Sequence, residues 1–390
     1  MENKCCIVGA RKSGQVKKCI VIPDSFKGTL TSIEICNLAE KSINKIFPNS
    51  EVITIPIADG GEGTVDCFLH ALGGERVKTI VEGPYHELMT CYYGKIGNIA
   101  VIEVAAAAGL PLVEDRKNPA LTTTYGVGEQ ILHAIKKGAR EIILGLGGSA
   151  TNDGGCGCAA ALGVKFYDEE GKSFIPTGIS LDRISKIDVS GAKTLLRGCK
   201  ITAMCDVDNP MHGKQGAAYV YGPQKGASEA MVVELDRQLK SLSEAIKRSI
   251  GNSVENIPGA GAAGAFGAGA VAFLDAELKP GIESVLDTVK FEDILKGTDI
   301  VFTGEGRIDR QSLRGKVIAG VAKRAKLNAV TTVAFAGDIC DGYEGIYDMG
   351  VDAVFSINRK PATLFESCQH SRQNFTQTFE DVLRLIKASQ

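Results

Sequence analysis

Short apolar runs, each closed by a polar, glycine-rich turn and followed by a stretch of helical periodicity, recur at both ends of the chain. Residues Lys18–Pro23, KCIVIP, predict a buried strand that enters DSFKG (24–28). Thr31 and Glu34 have the spacing of a capping box. Behind them Ile35, Leu38, Ala39, Ile43 and Ile46 share one helical face, and Pro48 lies just past the end. A second strand, over 51–57, enters ADGGEGT (58–64), which completes a βαβ unit. Toward the C-terminus a strand over 299–303 enters GEGRID (304–309), and a helix is predicted over 317–325. A strand over 330–335 then enters AGDI (336–339), and one over 353–357 precedes an amphipathic final helix. Such alternation implies a parallel sheet with helices on both faces.

The middle of the chain is patterned differently. Short strands are predicted over 89–93 and 100–104. Two further strands end in loops: 141–146 in GLGGSATNDGG (145–155), and 200–204 in CDVDNP (205–210). A long helix is predicted over Glu229–Ile250, with Val232, Leu235, Leu239, Leu242 and Ile246 as its stripe. The class is therefore α/β, in two α/β domains. One is a parallel sheet with helices on both faces, built from both chain ends, residues 1–62 and 290–390. The other is an inserted mixed α/β domain, residues 63–289, with a cleft expected between the two.

Length agrees with this division, since 390 residues exceed one compact core. A net charge of −2 gives no electrostatic case for nucleic acid or an anionic membrane surface as partner. No apolar stretch reaches the length of a membrane span. The 12 cysteines are scattered, and Cys19, Cys36 and Cys205 sit in or beside apolar runs. Residues 1–18 carry only a short apolar run, 5–8, well below a secretory core. Reduced thiols in a cytoplasmic protein are expected. Cys156 and Cys158 have no second pair at zinc spacing, and the five histidines show no ligand pattern, so a structural zinc is excluded.

Ligands of open parallel sheets bind outside the carboxyl ends of the strands. The segments 24–28, 59–64, 145–155, 206–209, 304–309 and 337–338 all fall at such ends. Together they supply glycines, carboxylates, Lys27 and Arg307. Within 145–155, Gly147 and Gly148 free the backbone to approach a phosphate, Ser149, Thr151 and Asn152 supply donors, and a helix is expected to begin after Asp153. Cations placed in glycine loops hold anions more often than they pair structurally. Asp206 and Asp208 are stiffened by Pro210, and Asp206 is the residue expected to orient and deprotonate a substrate hydroxyl.

Two familiar motifs fail. PGAGAAGAFGAG (258–269) contains G-x-G-x-x-G, but no convincing strand precedes it and no acidic residue ends a strand about twenty residues on. Close packing of a small-residue helix on backbone or nucleotide fits it better. Gly315-Lys316 is followed by Val317, with no glycine five residues before Gly315, so there is no Walker A loop.

Taken in order, PDSFKGTL, PIADGGEGT, GLGGSATNDGG, CDVDNP, YGPQKGAS (221–228), PGAGAAG, TGEGRID-x-QS-x-x-GK and the late AG turn resemble the bacterial glycerate kinase family over nearly the whole chain. The resemblance implies ATP, Mg²⁺ and D-glycerate, with 2-phosphoglycerate as the usual product and 3-phosphoglycerate as the alternative. It implies two α/β domains, one Rossmann-like. On this reading Asp24, Ser25, Lys27, Asp59 and Arg307 bind glycerate, and Asp206, Lys27 and Arg307 are catalytic. Gly147, Gly148, Ser149, Asn152, Gly259, Gly261 and Gly264 bind the nucleotide, and Asp153 and Glu305 lie nearest the metal. The chain departs from the family at residues 1–18, at Cys5-Cys6, at Ala265-Phe266 and at Ala108, where serine is expected.

Three other readings compete. GLGGSAT also resembles the phosphate loop of the galactokinase, homoserine and mevalonate kinase superfamily, which would not supply DSFKG or TGEGRID. A nicotinamide-dependent oxidoreductase would use Gly259–Gly264. A sensor of sugar acids would keep the fold without turnover. The sequence leaves the choice of homodimer or monomer open.

Overall fold

The computed structural model describes residues 16–313 and 316–389. The apolar run 5–8, Cys5-Cys6 and Gly315 lie outside the described residues. The chain divides into two compact units: one holds the residues up to Pro56 and those from Lys290 onward, the other Ile57–Val289. The loop 58–64 thus belongs whole to the second unit, where a boundary at residue 62 would have cut it.

In the first unit five strands form one parallel sheet in the order Ala353–Ser356, Thr331–Ile339, Ile300–Ile308, Lys18–Pro23, Glu51–Thr54. Lys18–Pro23 is an interior strand, paired on both sides, and wholly apolar beyond its first residue, as a strand covered on both faces must be. The helix Ser32–Ile46 opens on the Thr31–Glu34 capping box and buries Ile35, Ala39, Ile43 and Ile46. The final helix, Leu364–Ala388, also starts from a capping box and brings Phe375 and Phe379 onto Phe302 and Phe335. Burying aromatic rings of this size stabilises by about 2–3 kcal/mol each.

Two strands run further than the sequence suggests. GEGRI and AGDI are not loops: Ile300–Ile308 and Thr331–Ile339 stay paired through Gly304↔Phe335, Glu305↔Ala336, Arg307↔Asp338 and Ile308↔Ile339. Their glycines are demanded by the neighbouring chain. A Cβ on Gly304 would stand 2.6 Å from the Phe335 carbonyl oxygen, and one on Gly337 would stand 2.6 Å from that of Gly306. Arg307 therefore projects from a strand, not from a loop as expected.

The second unit is built on a six-stranded mixed sheet, ordered Glu277–Lys279, Lys200–Met204, Glu141–Gly145, Ile99–Glu103, Leu88–Ile96, Glu75–Glu82. The last two pairings are antiparallel and the rest parallel. A three-stranded antiparallel sheet, Ser173–Phe174, Lys165–Tyr167 and Lys186–Asp188, accompanies it. The helix Glu229–Ile250 buries Val232, Leu235, Leu239, Leu242 and Ile246. Among the described residues no disulfide forms, and no helix is long and apolar enough to cross a membrane.

Candidate functional site

Gly145 and Met204 are register partners at the carboxyl ends of neighbouring parallel strands in the second unit. The chain leaves the sheet there on both strands, and the loop 58–64 packs onto the gap. The Gly147 N–H donates to the Gly60 carbonyl at 2.9 Å. A Cβ on Gly145 would stand 2.3 Å from that same oxygen, and one on Gly147 would stand 2.6 Å from Gly61 Cα. The glycines of two separate motifs thus exist to let backbone lie against backbone.

Around this contact lies a cavity of about 380 Å³, lined by Asp59, Glu62, Gly147, Gly148, Ser149 and, from other segments, Asp206, Tyr221, Gln224 and Lys225. The loop 147–151 that forms one wall is tightly clamped. Its Gly148 carbonyl accepts from Leu110 N at 2.9 Å, Ala150 N donates to the Ala108 carbonyl at 2.8 Å, and Thr122 Oγ1 donates to the Ala150 carbonyl at 2.9 Å. The N–H groups of Gly148 and Ser149 take no acceptor among the described residues. Two adjacent open N–H groups on a cavity wall, with Gly148 at φ +73°, form a cradle for an anion. Of the expected phosphate loop, Gly148 and Ser149 are placed to offer amides, whereas the Gly147 amide is committed to Gly60.

Lys225 stands beside this cradle. Its side chain is buried, and Nζ donates to Ser149 Oγ at 2.8 Å and to the Thr151 carbonyl at 2.7 Å. Burial pulls its pKa down to about 7, opposed by the charge of Asp153. The lysine sits in the short turn Pro223–Lys225, ended by Gly226 at φ +93°. Lys225 was missing from the residues expected at the site. Its signal was available in YGPQKGAS, where a lysine precedes a glycine as Lys27 precedes Gly28.

The opposite charges come from Asp59, Glu62 and Asp206. Asp59 Oδ1 accepts from Gly61 N at 3.2 Å. Asp206 is exposed, and its Oδ1 accepts from Gly281 N at 2.7 Å, where the helix Gly281–Thr288 begins. Magnesium is commonly held by one or two carboxylates together with substrate phosphates. This set of hard oxygen donors beside an anion cradle fits that mode. Among the described residues no three His, Cys, Asp or Glu side chains gather as a metal cluster.

Asp153 does not fit the metal role expected of it. It is fully buried, and its carboxylate accepts from Thr124 N and Oγ1, both at 2.8 Å, from Gly155 N at 3.1 Å and from Gly157 N at 3.2 Å. Those four bonds brace the loop to the helix Cys156–Ala161 and use the oxygens that a metal would need. Asn152 is buried with both amide atoms unbonded and does not line the cavity.

Gly259, Gly261 and Gly264 also depart from the nucleotide role. None lines the cavity, although Ala262 and Ala263 do. A Cβ on Gly261 would stand 2.3 Å from the Pro210 carbonyl oxygen, and one on Gly264 would stand 2.0 Å from that of Thr151. On Gly259 it would meet Cys205 Sγ at 2.9 Å. The run packs backbone under the loops that carry the site, and no strand precedes it.

The remaining expected residues lie in the first unit. Asp24 and Ser25 follow the strand Lys18–Pro23, with Asp24 Oδ1 accepting from Ser25 N at 2.6 Å. Lys27 is exposed at the tip of a turn closed by Phe26 N to the Leu30 carbonyl at 2.8 Å, with Gly28 at φ +81°. Arg307 is exposed, and its Nε lies 3.7 Å from Asp338 Oδ2, 3.9 Å from Asp309 Oδ2 and 3.0 Å from Cys340 Sγ, to which it donates. Glu305 is buried. Its carboxyl accepts from Ile318 N and from Ser312 Oγ, each at 3.1 Å, and so caps the helix Val317–Leu327. Burial first, then the neighbouring Asp24 charge, pushes its pKa up to about 7 against these bonds. A carboxyl committed to a helix end and half protonated at neutrality is a poor metal ligand, which runs against the role expected for Glu305.

Comparison with known proteins then decides the family. The model of the glycerate kinase family matches residues 19–387. The chain belongs to the glycerate kinase family. As a member it is an enzyme, a kinase. It is similar to the glycerate kinase of Bacillus cereus, 45% identical over 95% of this chain and 98% of that one. It is similar also to the glycerate 2-kinase of Escherichia coli, at 43% over 94% and 97%. Among solved structures, a candidate glycerate kinase 2 from Salmonella typhimurium LT2 is 40% identical, covers 96% of this chain and 99% of its own, and gives a TM-score of 0.84. Membership of the glycerate kinase family disposes of the oxidoreductase reading and agrees with the packing role of the Gly259–Gly264 run.

Proposed function

We propose that this chain transfers the γ-phosphoryl group of ATP to the 2-hydroxyl of D-glycerate, giving 2-phosphoglycerate and ADP. The observation that carries the reading is the cavity of the second unit. It sets the open N–H groups of Gly148 and Ser149 and the Lys225 amine against the carboxylates of Asp59, Glu62 and Asp206. Phosphoryl transfer needs preorganised donors on the moving charge and a group that orients the acceptor hydroxyl. Gly148, Ser149 and Lys225 supply the donors. Asp206, held at Gly281, is the acceptor's base, because it is exposed and keeps a fixed position. Mg²⁺, held by Asp59 and Glu62 when bound, would neutralise phosphate charge. Lys27 and Arg307 are exposed cations of the first unit. The glycerate substrate rests on the names of the relatives, and the name of the Escherichia coli enzyme favours the 2-position.

The experiment is ADP release across a panel of small hydroxy acids. Turnover with D-glycerate far above the other acids supports the reading. Binding of glycerate without ADP release would support a sensor and overturn it.

A further inference from the structure

Lys225 is a buried lysine among the residues that line the cavity. A lysine that merely braced Ser149 Oγ and the Thr151 carbonyl could be replaced in that task by neutral donors, without the large penalty of burying an ammonium. Its Nζ has three protons when charged, and two are spent on Ser149 and Thr151. The carboxylate that electrostatically supports it, Asp153, already accepts four hydrogen bonds and makes none to Lys225. The side chain nevertheless lines the cavity, next to the open amides of Gly148 and Ser149.

Resting on the nucleotide reading above, we propose that Lys225 is a direct ligand of the nucleotide's phosphates and gains a proton from solvent as they bind. The third N–H of the charged form would then meet a phosphate oxygen, and Ser149, already fixed by Lys225, would be held in place for a second contact. Before binding, burial favours the neutral amine, with the pKa drawn down to about 7. An oligophosphate within hydrogen-bond distance adds negative charge and reverses that preference. Other ionisable groups bear on the balance: Asp153 behind the loop, Asp59, Glu62, Asp206 and Tyr221 along the cavity, and Lys117, whose backbone packs on Gly226. The Cys205 thiol, pushed up to about 11 by burial, stays protonated in the working range.

Calorimetry of MgADP binding, repeated near pH 8 in buffers of different ionisation enthalpy, reads the proton directly. The wild-type enzyme should take up most of one proton per site. In Lys225→Met that uptake should vanish and Kd should rise roughly tenfold or more, the scale of a lost charge-assisted bond. Lys225→Arg should bind without uptake, because arginine is always charged. Binding by the wild-type enzyme with no proton taken up would overturn the proposal, and this measurement depends on no variant folding. So would an unchanged Kd in Lys225→Met. Gly148→Val separates the two levels. If it binds MgADP normally, the phosphate-loop reading falls; if it loses binding while Lys225→Met does not, only the role of Lys225 falls.

Discussion

The Gly147 N–H and the Gly60 carbonyl, 2.9 Å apart, join two loops that are 87 residues apart in sequence into one floor for the cavity. Adding a methyl at Gly147 would put it 2.6 Å from Gly61 Cα and 2.8 Å from Gly61 N, both backbone atoms that cannot rotate away. Gly147→Ala should therefore lose about 1–3 kcal/mol of stability through overpacking, measured by denaturant unfolding. Gly148 presents the opposite case. Its Cβ would touch only Ala105 Cβ at 3.1 Å, so Gly148→Ala should lose only about 1–2 kcal/mol from its left-handed backbone. A Gly147→Ala variant as stable as the wild type would show that the loops are not packed as described.

Asp206→Asn keeps an oxygen that can accept from Gly281 N, so the helix Gly281–Thr288 should remain capped and the melting temperature nearly unchanged. The lost negative charge should lower kcat about a hundredfold or more, the usual range for a general base. KM for glycerate should change little. A stable variant with wild-type kcat would remove Asp206 from the chemistry.

Glu305 makes stability depend on pH. Its folded pKa, about 7, lies above the ordinary 4.5, so the folded state binds the proton more tightly than the unfolded chain does. The stabilisation from this group is complete below pH 4.5 and is lost as pH rises through about 7. Glu305→Gln retains an acceptor for Ile318 N and carries no charge. The variant should flatten the stability profile across that window and be more stable above it, by up to about 3 kcal/mol. Parallel profiles for wild type and variant would refute the buried titration.

The helix Val317–Leu327 ends in a Schellman-type turn: Val330 N donates to the Ala325 carbonyl and Ala329 N to the Lys326 carbonyl, both at 3.0 Å. Ala329 holds the left-handed position at φ +55° and is exposed. Ala329→Gly should raise stability by about 1 kcal/mol, since glycine adopts this geometry without a Cβ clash and no burial is forfeited. A lower melting temperature would contradict the cap geometry.

Where apolar runs are bounded by hard punctuation, the chain reads correctly: Lys18–Pro23 and Glu229–Ile250 have the limits that Pro23, Ser228 and Gly251 impose. Glycine misleads where it serves pairing, because GEGRI looks like a turn until the neighbouring strand is seen to require Gly304 and Gly337. The same holds for Gly261 and Gly264, whose neighbours are the backbones of Pro210 and Thr151. Carboxylates are legible as a supply but not as roles. Nothing in the sequence around Asp153 reveals four donors closing on it, or that Glu305 faces a helix end 13 residues later. Lys225 escaped for the same reason, since its partners are 74 and 76 residues away.

The most direct measurement is proton-coupled ³¹P NMR of the product formed from ATP and D-glycerate, with ADP quantified on the same sample. Transfer to the 2-hydroxyl places phosphorus beside a carbon bearing one hydrogen, so a phosphomonoester doublet should grow in step with ADP. A triplet would place the phosphate on the terminal CH₂ group and contradict the assigned position, and inorganic phosphate alone would contradict transfer to glycerate altogether.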